Sequence, residues 1–262
     1  MKILVCNDDG IFSKGILQLA SSMSEIGETT VVAPDDERSA TGHAITLHKP
    51  LRIKPVNLPK LNIRAFAVDG TPADCVKIGY DIVMERDVDL VISGINRGPN
   101  LGTDVLYSGT VSAAFEGAIL GLPSIAVSLV SYDSDDYVFA GKVAVKIAEK
   151  LMEHGLPSGA ILNINVPAVP EKEIKGIKTA RLGVRRYAEN YIKRLDPRGK
   201  PYYWLTGEAI DDDMANGDGM DTDITAVANN YVAVTPIHFD LTLHSYIENV
   251  NKWFQHSNKI DI

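Results

Sequence analysis

The sequence predicts an α/β fold, a parallel sheet covered by helices on both faces. Three observations carry that reading. Short apolar runs recur with little polar interruption, as strands buried on both sides require. Segments of helical periodicity separate them. Glycine or proline stands at most of the joins.

Residues 2–7, β-branched and aliphatic, form the first strand. Residues 14–26 have apolar positions at helical spacing, with Gly27 as the expected C-cap. Residues 29–34 make the second buried strand, and a polar loop occupies 35–50. "LRIKPV" and "IRAFAV" alternate and predict an antiparallel excursion. In "DGTPADCVKIGYDIVME", Thr71 is the N-cap, Pro72 the first helical residue, and Asp74 the acid of a capping box. A strand at 89–93, a helix at 109–121, the strand "PSIAVSL", a helix at 136–154 ending at Gly155, and the strand "AILNINVP" complete a Rossmann-like core over 1–170.

Over 171–262 the rhythm breaks. Residues 177–203 read as a long hairpin around a Pro-Arg-Gly turn, carrying Tyr187, Tyr191, Tyr202, Tyr203 and Trp204. Those aromatics exceed what a free arm holds in water, so a partner surface, such as a second subunit, is expected. An acidic loop, the strand "NNYVAVTPI" and a helix near 245–255 follow.

At 262 residues the chain can bury a sizeable core. Its net charge of −8 argues against a broad grip on nucleic acid, while leaving room for a small phosphate ligand held locally. No apolar run approaches the roughly 20 residues of a membrane helix. An acidic pair stands where a signal peptide would continue its apolar stretch. The two cysteines, Cys6 and Cys75, lie in apolar patterns and read as buried thiols. A cytoplasmic location is expected.

In such sheets ligands gather beyond the carboxyl ends of strands. "NDDG", "PDDERSATGH" and "GINRGPNLGTDVLYSGT" each follow a strand and should share one edge. Gly10 to Gly15 lacks the dinucleotide fingerprint, and neither a P-loop nor a Gly-x-Ser-x-Gly elbow occurs. Asp8 and Asp9 stand where the strand ends and can converge on a hard cation, Mg²⁺ or Mn²⁺, with neutral oxygens from Ser39 and Asn96. The plain alternative is an Asp-Gly turn.

The loop 93–110 holds Gly94, Gly98, Gly102 and Gly109 with Asn96, Asn100 and Pro99, a composition that tolerates positive φ and implies a tightly folded backbone. Ser108, Gly109 and Thr110 open a helix whose free amides and hydroxyls suit an anion; a simple serine cap is the other reading. A cation site facing an anion site is a phosphate-ester arrangement.

Five ordered blocks, "NDDG", "RSATGHAITLHKPL", "DGTPADCV", "SGINRGPNLGTDVLYSGTVSAA" and "YVAVTPIHFDLT", together resemble the SurE family of survival-protein-E nucleotidases along the whole chain. The resemblance implies a metal-dependent phosphatase acting on nucleoside 5′- and 3′-monophosphates, with short polyphosphate as a further substrate of some members. It implies one divalent cation per subunit, held by Asp8, Asp9, Ser39 and Asn96, with Asp8 and Asp9 catalytic. Substrate would meet Asn96, Asn100, Ser108, Gly109 and Thr110. It also implies a homodimer or homotetramer with exchanged C-terminal segments. Two departures occur. Ser39-Ala40 replaces the usual Ser-Gly, and Asp221-Thr222-Asp223 the usual Gly-Thr-Asp, which bears on a local turn rather than the site.

The acidic run 211–223 fails as an EF-hand, since Met214 and Thr225 fall at ligand positions, and reads as a solvated loop. His43, four residues from Ser39, either touches the site or caps and faces solvent. Arg181, Arg185, Arg186 and Arg194 read as a solvated hairpin face, with phosphate steering the alternative. The route of attack, by water or through a covalent aspartyl-phosphate, stays open. A nucleotide sensor using the same loops, or a solvated acidic edge, are the rival readings.

Overall fold

The computed structural model describes residues 1–188, 190–207, 209–212 and 221–254. Nine strands form one sheet in the order β3-β4-β2-β1-β5-β6-β7-β13-β8. Its centre is parallel: β1 (Lys2–Cys6), β2 (Glu28–Pro34), β4 (Arg64–Val68), β5 (Leu90–Arg97), β6 (Ser124–Val130) and β7 (Ala160–Pro167). Strand β3 (Ile53–Val56) pairs antiparallel with β4, as the alternating runs predict.

Side chains alternate across the sheet as the pleat demands. Ile3 and Val5 join the cluster packed by α1 (Lys14–Met23) and α4 (Val138–His154), while Leu4 and Cys6 join that packed by α2 (Pro72–Ile78). The helix α3 (Gly109–Ile119) covers the same side as α2. Both faces of β1 are therefore sealed, and both thiols are buried and unpaired with each other by any disulfide.

The capping box of α2 forms as read: Asp74 N–H donates to Thr71 Oγ1 at 3.1 Å, and Thr71 N–H to Asp74 Oδ2 at 3.0 Å. Gly27 is not the C-cap of α1. The helix ends at Met23, and Gly27 sits where a Cβ would lie 2.5 Å from the Met1 carbonyl oxygen.

The sheet crosses the boundary expected at 170/171. Strand β13 (Tyr231–His238) lies antiparallel to β7, and β8 (Gly176–Thr179) parallel to β13, so residue 177 belongs to the sheet rather than to the hairpin. The projecting ribbon is narrower: β9 (Val184–Tyr187) pairs with β12 (Ala209–Asp212), and β10 (Asn190–Leu195) with β11 (Pro201–Thr206). A short helix α5 (Asp223–Ala228), unforeseen in the acidic loop, is capped by Thr222. The final helix α6 spans Ile247–Phe254; Gln255, and residues 213–220 of the acidic run, lie outside the described residues. Among the described residues no helix is long and apolar enough to cross a membrane.

Candidate active site

Strand β1 has β2 on one side and β5 on the other, so the sheet reverses direction of growth between β1 and β5. That switch point opens a crevice at the carboxyl edge. Strand β1 stops at Cys6, paired with Ser93, while β5 runs on to Arg97. The extension includes a register shift between Ser93 and Asn96, at which Gly94 adopts φ +136°. A Cβ on Gly94 would stand 2.3 Å from the Val127 carbonyl oxygen. This bulge delivers Asn96 and Arg97 over the end of β1, a re-aiming for which bulges are suited. The apolar run predicts a strand end at Ser93; the bulge instead carries β5 on to Arg97.

The "NDDG" segment is a turn, but its aspartates do not serve it. Buried Asn7 holds it, donating from Nδ2 to the Gly10 carbonyl at 3.0 Å and to Ser13 Oγ at 2.8 Å. Asp8 is 4% exposed, and Thr110 Oγ1 donates to its Oδ1. Burial pushes the Asp8 carboxyl above the ordinary range, against the pull of the Thr110 hydroxyl and amide. Asp9 accepts the Arg97 backbone N–H on Oδ2 at 3.1 Å. Burial first, then the charge of Asp8, raise it to about 7. Two carboxylates buried side by side in this way disfavour one another's charged form.

A cleft of about 670 Å³ collects Asp8, Ser39, Asn96, Asn100 and Ser108 on its wall. Arg97 is the one cationic side chain among its lining residues. Asn96 donates from Nδ2 to the Gly98 carbonyl at 2.9 Å, leaving its Oδ1 without a partner among the described residues. Ser39 Oγ donates to Glu37 Oε1 at 2.6 Å, so its oxygen keeps lone pairs for an electrophile. Glu37, whose charge bears on both Asp8 and Asp9, was not singled out by sequence; an acid two residues before Ser39 was the available signal. Among the described residues no three His, Cys, Asp or Glu side chains group as a metal site. The two carboxylates and the neutral oxygens gathered here are a donor set that would suit Mg²⁺ or Mn²⁺ rather than a softer ion.

The opening of α3 supplies the other polarity. Ser108 is its N-cap, accepting the Val111 N–H at 3.1 Å, so that hydroxyl is spent on the helix. Thr110 spends its own on Asp8. The Gly109 amide has no acceptor among the described residues, and it sits at the positive end of an 11-residue helix. In the loop 93–110 only Gly94, Gly98 and Gly102 take positive φ; Gly109, Asn96 and Asn100 do not.

Asn100 is built into a buried polar post. Its N–H donates to Asn165 Oδ1 at 2.9 Å and its Nδ2 to Ser128 Oγ at 2.8 Å. Its carbonyl accepts from Asn163 at 2.9 Å and Asn165 at 3.0 Å. These bonds fix the loop and still leave Asn100 its Oδ1 and a second Nδ2 hydrogen beside the cleft.

The ribbon also reaches the site. Tyr187, Leu205, Thr206 and Gly207 line the cleft. Tyr187 OH donates to Asp104 Oδ2 at 2.8 Å, and Arg185 pairs with the same oxygen at 3.2 Å. Arg185 is thus buried in an ion pair instead of solvated. Asp223 secures the base: its carboxylate accepts N–H groups from Gly102 at 2.8 Å, Gly183 at 2.8 Å and Ile224 at 3.0 Å. His43 turns away from the cleft, its Nε2 lying 2.9 Å from Glu116 Oε2.

Known proteins share this sequence and fold. Residues 3–189 match the sequence model of the family described as survival protein SurE. A protein of Pelotomaculum thermopropionicum named 5′-nucleotidase SurE is 54% identical over 252 residues, covering 96% of this chain and 95% of its own. One of the same name from Carboxydothermus hydrogenoformans is 48% identical over 257 residues, covering 97% and 96%. A crystal structure of the SurE protein from Aquifex aeolicus superimposes with a TM-score of 0.82 at 43% identity, covering 97% of this chain and 99% of that one.

Proposed function

The chain belongs to the SurE family, and from that premise we propose that it is a nucleotidase that hydrolyses nucleoside 5′-monophosphates with the help of one divalent cation per subunit. The observation that carries the proposal is the pair Asp8 and Asp9, largely buried at the switch point, with Asp8 against the amide end of α3 and Asp9 against the bulge of β5. The 5′-nucleotidase name of the relatives supports the substrate class.

In this reading Asp8, Asp9, Ser39 and the Asn96 amide oxygen hold Mg²⁺ or Mn²⁺. When bound, the cation would polarise a phosphoryl oxygen and offset the charge that builds up in the transition state. The remaining work falls to the chain. The Gly109 amide and the positive end of α3 receive a second phosphoryl oxygen, already in place before charge develops. Arg97, fixed by its Nε donating to the Tyr132 carbonyl at 2.6 Å, adds positive charge at the rim. Tyr107, Tyr132, Tyr187 and Leu205 give the nucleoside an apolar wall. The Asp9 carboxyl, raised to about 7 by burial and the charge of Asp8, would give up its proton as the cation binds.

The finer reading extends to 3′-monophosphates and short polyphosphate, and to a homodimer or homotetramer built through the ribbon and α6. Exposed Tyr191, Trp204, Leu205, Trp253 and Phe254 support a subunit contact there. Phosphate release from a panel of nucleoside monophosphates, with chelator and with Mg²⁺ or Mn²⁺ restored, tests the function. Release that ignores chelator removes the cation from the proposal. No release from any member removes the nucleotidase and favours a sensor.

A further inference from the structure

The segment carrying Ser39 contains no helix or strand between residues 35 and 50, so its shape depends on a few tethers. Arg38 N–H donates to the Asp8 carbonyl at 2.7 Å, and Gly42 N–H to the Tyr107 carbonyl at 3.1 Å. Thr46 N–H donates to Asp74 Oδ1 at 3.0 Å, and the Thr71 hydroxyl to the Ala44 carbonyl at 2.7 Å. Between Ser39 and His43 the backbone is twice left-handed, at Ala40 with φ 54° and Gly42 with φ 55°. For alanine that conformation is unfavourable and persists only where surroundings over-determine it.

Two side chains of the segment also tether it: Lys49, whose Nζ donates to the Asp69 carbonyl at 3.2 Å, and His43, the nearer to Ser39. The His43 Nε2 lies 2.9 Å from Glu116 Oε2, and as the Nε2–H tautomer or as imidazolium it donates. Glu116 lies on α3, the helix whose first turn faces Asp8, and its side chain is 5% exposed. Lys77 from α2 takes the other oxygen at 3.0 Å. Burial alone would raise the Glu116 carboxyl, but the bonds from His43 and Lys77 outweigh it and hold it below the ordinary range. A charge kept in the interior this way costs desolvation that an apolar residue would avoid.

We propose that Glu116 and His43 are a positioning pair, outside the cation's own ligands, that sets the Ser39 loop against Asp8 and thereby fixes divalent-cation affinity. The inference rests on the reading of Ser39 as a cation ligand. Backbone bonds at Arg38 and Gly42 bracket Ser39, and His43, next in the chain after Gly42, braces the weaker of these ends. Releasing it loosens the Gly42 end and shifts Ser39, while Asp8, Asp9 and Asn96 stay on the sheet edge. Lys77 provides an internal contrast. It meets the same carboxylate but comes from α2 and touches no part of the Ser39 loop through that bond.

The test is calorimetric titration of the full chain with Mn²⁺, alongside melting temperatures. His43→Ala and Glu116→Gln should each weaken Mn²⁺ binding about tenfold, the scale expected of residues behind a ligand. The double variant should be no weaker than either single, because one clamp is lost once. His43→Gln, whose amide can still donate, should recover most of the affinity. Lys77→Met should lower the melting temperature and leave Mn²⁺ affinity within about twofold. Unchanged affinity in His43→Ala while Ser39→Ala weakens binding would overturn the inference and leave the cation site standing. Equal losses in Lys77→Met and His43→Ala would also overturn it, by making Glu116 a general brace. Absence of Mn²⁺ binding in the unmodified protein, or none lost in Ser39→Ala, would instead overturn the site itself. If Glu116→Gln does not fold, the two His43 variants, in an irregular and partly exposed loop, decide alone.

Discussion

Gly109 stands directly over Asp8: a Cβ at position 109 would lie 2.8 Å from the Asp8 Cβ and 2.9 Å from its Oδ2. The opening of α3 reaches the carboxylate only because no side chain intervenes. Gly109→Ala should therefore push helix and carboxylate apart, lowering kcat/KM by at least about tenfold, since small misplacements at a reacting centre are costly. Because Asp8 is buried, the added Cβ also overpacks the site, and stability should fall by about 1–3 kcal/mol. Steady-state kinetics with a thermal melt checks this; full activity in the variant would mean that the two groups need not touch.

Asp9 ties stability to pH. Its carboxyl is raised to about 7 in the folded chain, from 3.8. The folded state thus holds the proton more tightly than the unfolded one. Stability from this group is greatest when it is protonated and is lost as pH rises from about 4 through about 7. Chelated protein should melt lower at pH 8 than at pH 5 for this reason, and Asp9→Asn should erase much of the difference while abolishing turnover. Mg²⁺ or Mn²⁺ should stabilise the unmodified chain most at the higher pH. A chelated Asp9→Asn variant with the same pH dependence as its parent would contradict the assignment.

Asp223→Asn is expected to be more damaging than its isosteric shape suggests. The carboxylate accepts three backbone N–H groups in a fully buried position, and an amide nitrogen there would oppose one of them. A loss of about 2–3 kcal/mol should follow, the scale for a buried donor left unmatched next to a former charge. Denaturant unfolding measures it. A loss below about 0.5 kcal/mol would show that the three bonds are not holding Gly102 and Gly183 together.

Excising 188–208 and closing Tyr187 onto Ala209 with Asn-Gly keeps the register of β9 with β12 but removes β10 and β11. The sheet should survive, because β8 and β13 are untouched. Two readouts should move. Light scattering should give a smaller assembly than the full chain, and KM for nucleotide should rise as Leu205, Thr206 and Gly207 leave the cleft. A variant with parent mass and parent KM would place the subunit contact and the cleft wall elsewhere.

The order of strands and helices, the capping box at Thr71 and Asp74, and the convergence of three loops on one edge were legible in the sequence. Each depends on neighbours in the chain: buried strands leave apolar runs, helices leave a period, and a cap is decided within four residues. The acidic pair after β1 also announced a charge problem by itself. What the tertiary structure decided were pairings across long separations. Whether the Thr110 hydroxyl serves a phosphate or Asp8 depends on residues 102 positions apart. That Arg185 pairs with Asp104, that Asn165 props Asn100, and that His43 turns to Glu116 carry no local pattern. Such contacts follow from how whole elements dock, and many side-chain pairs of equal chemistry compete for each place. The bulge at Gly94 is the intermediate case: a glycine marked it, but only β6 pressing against it set where β5 would turn.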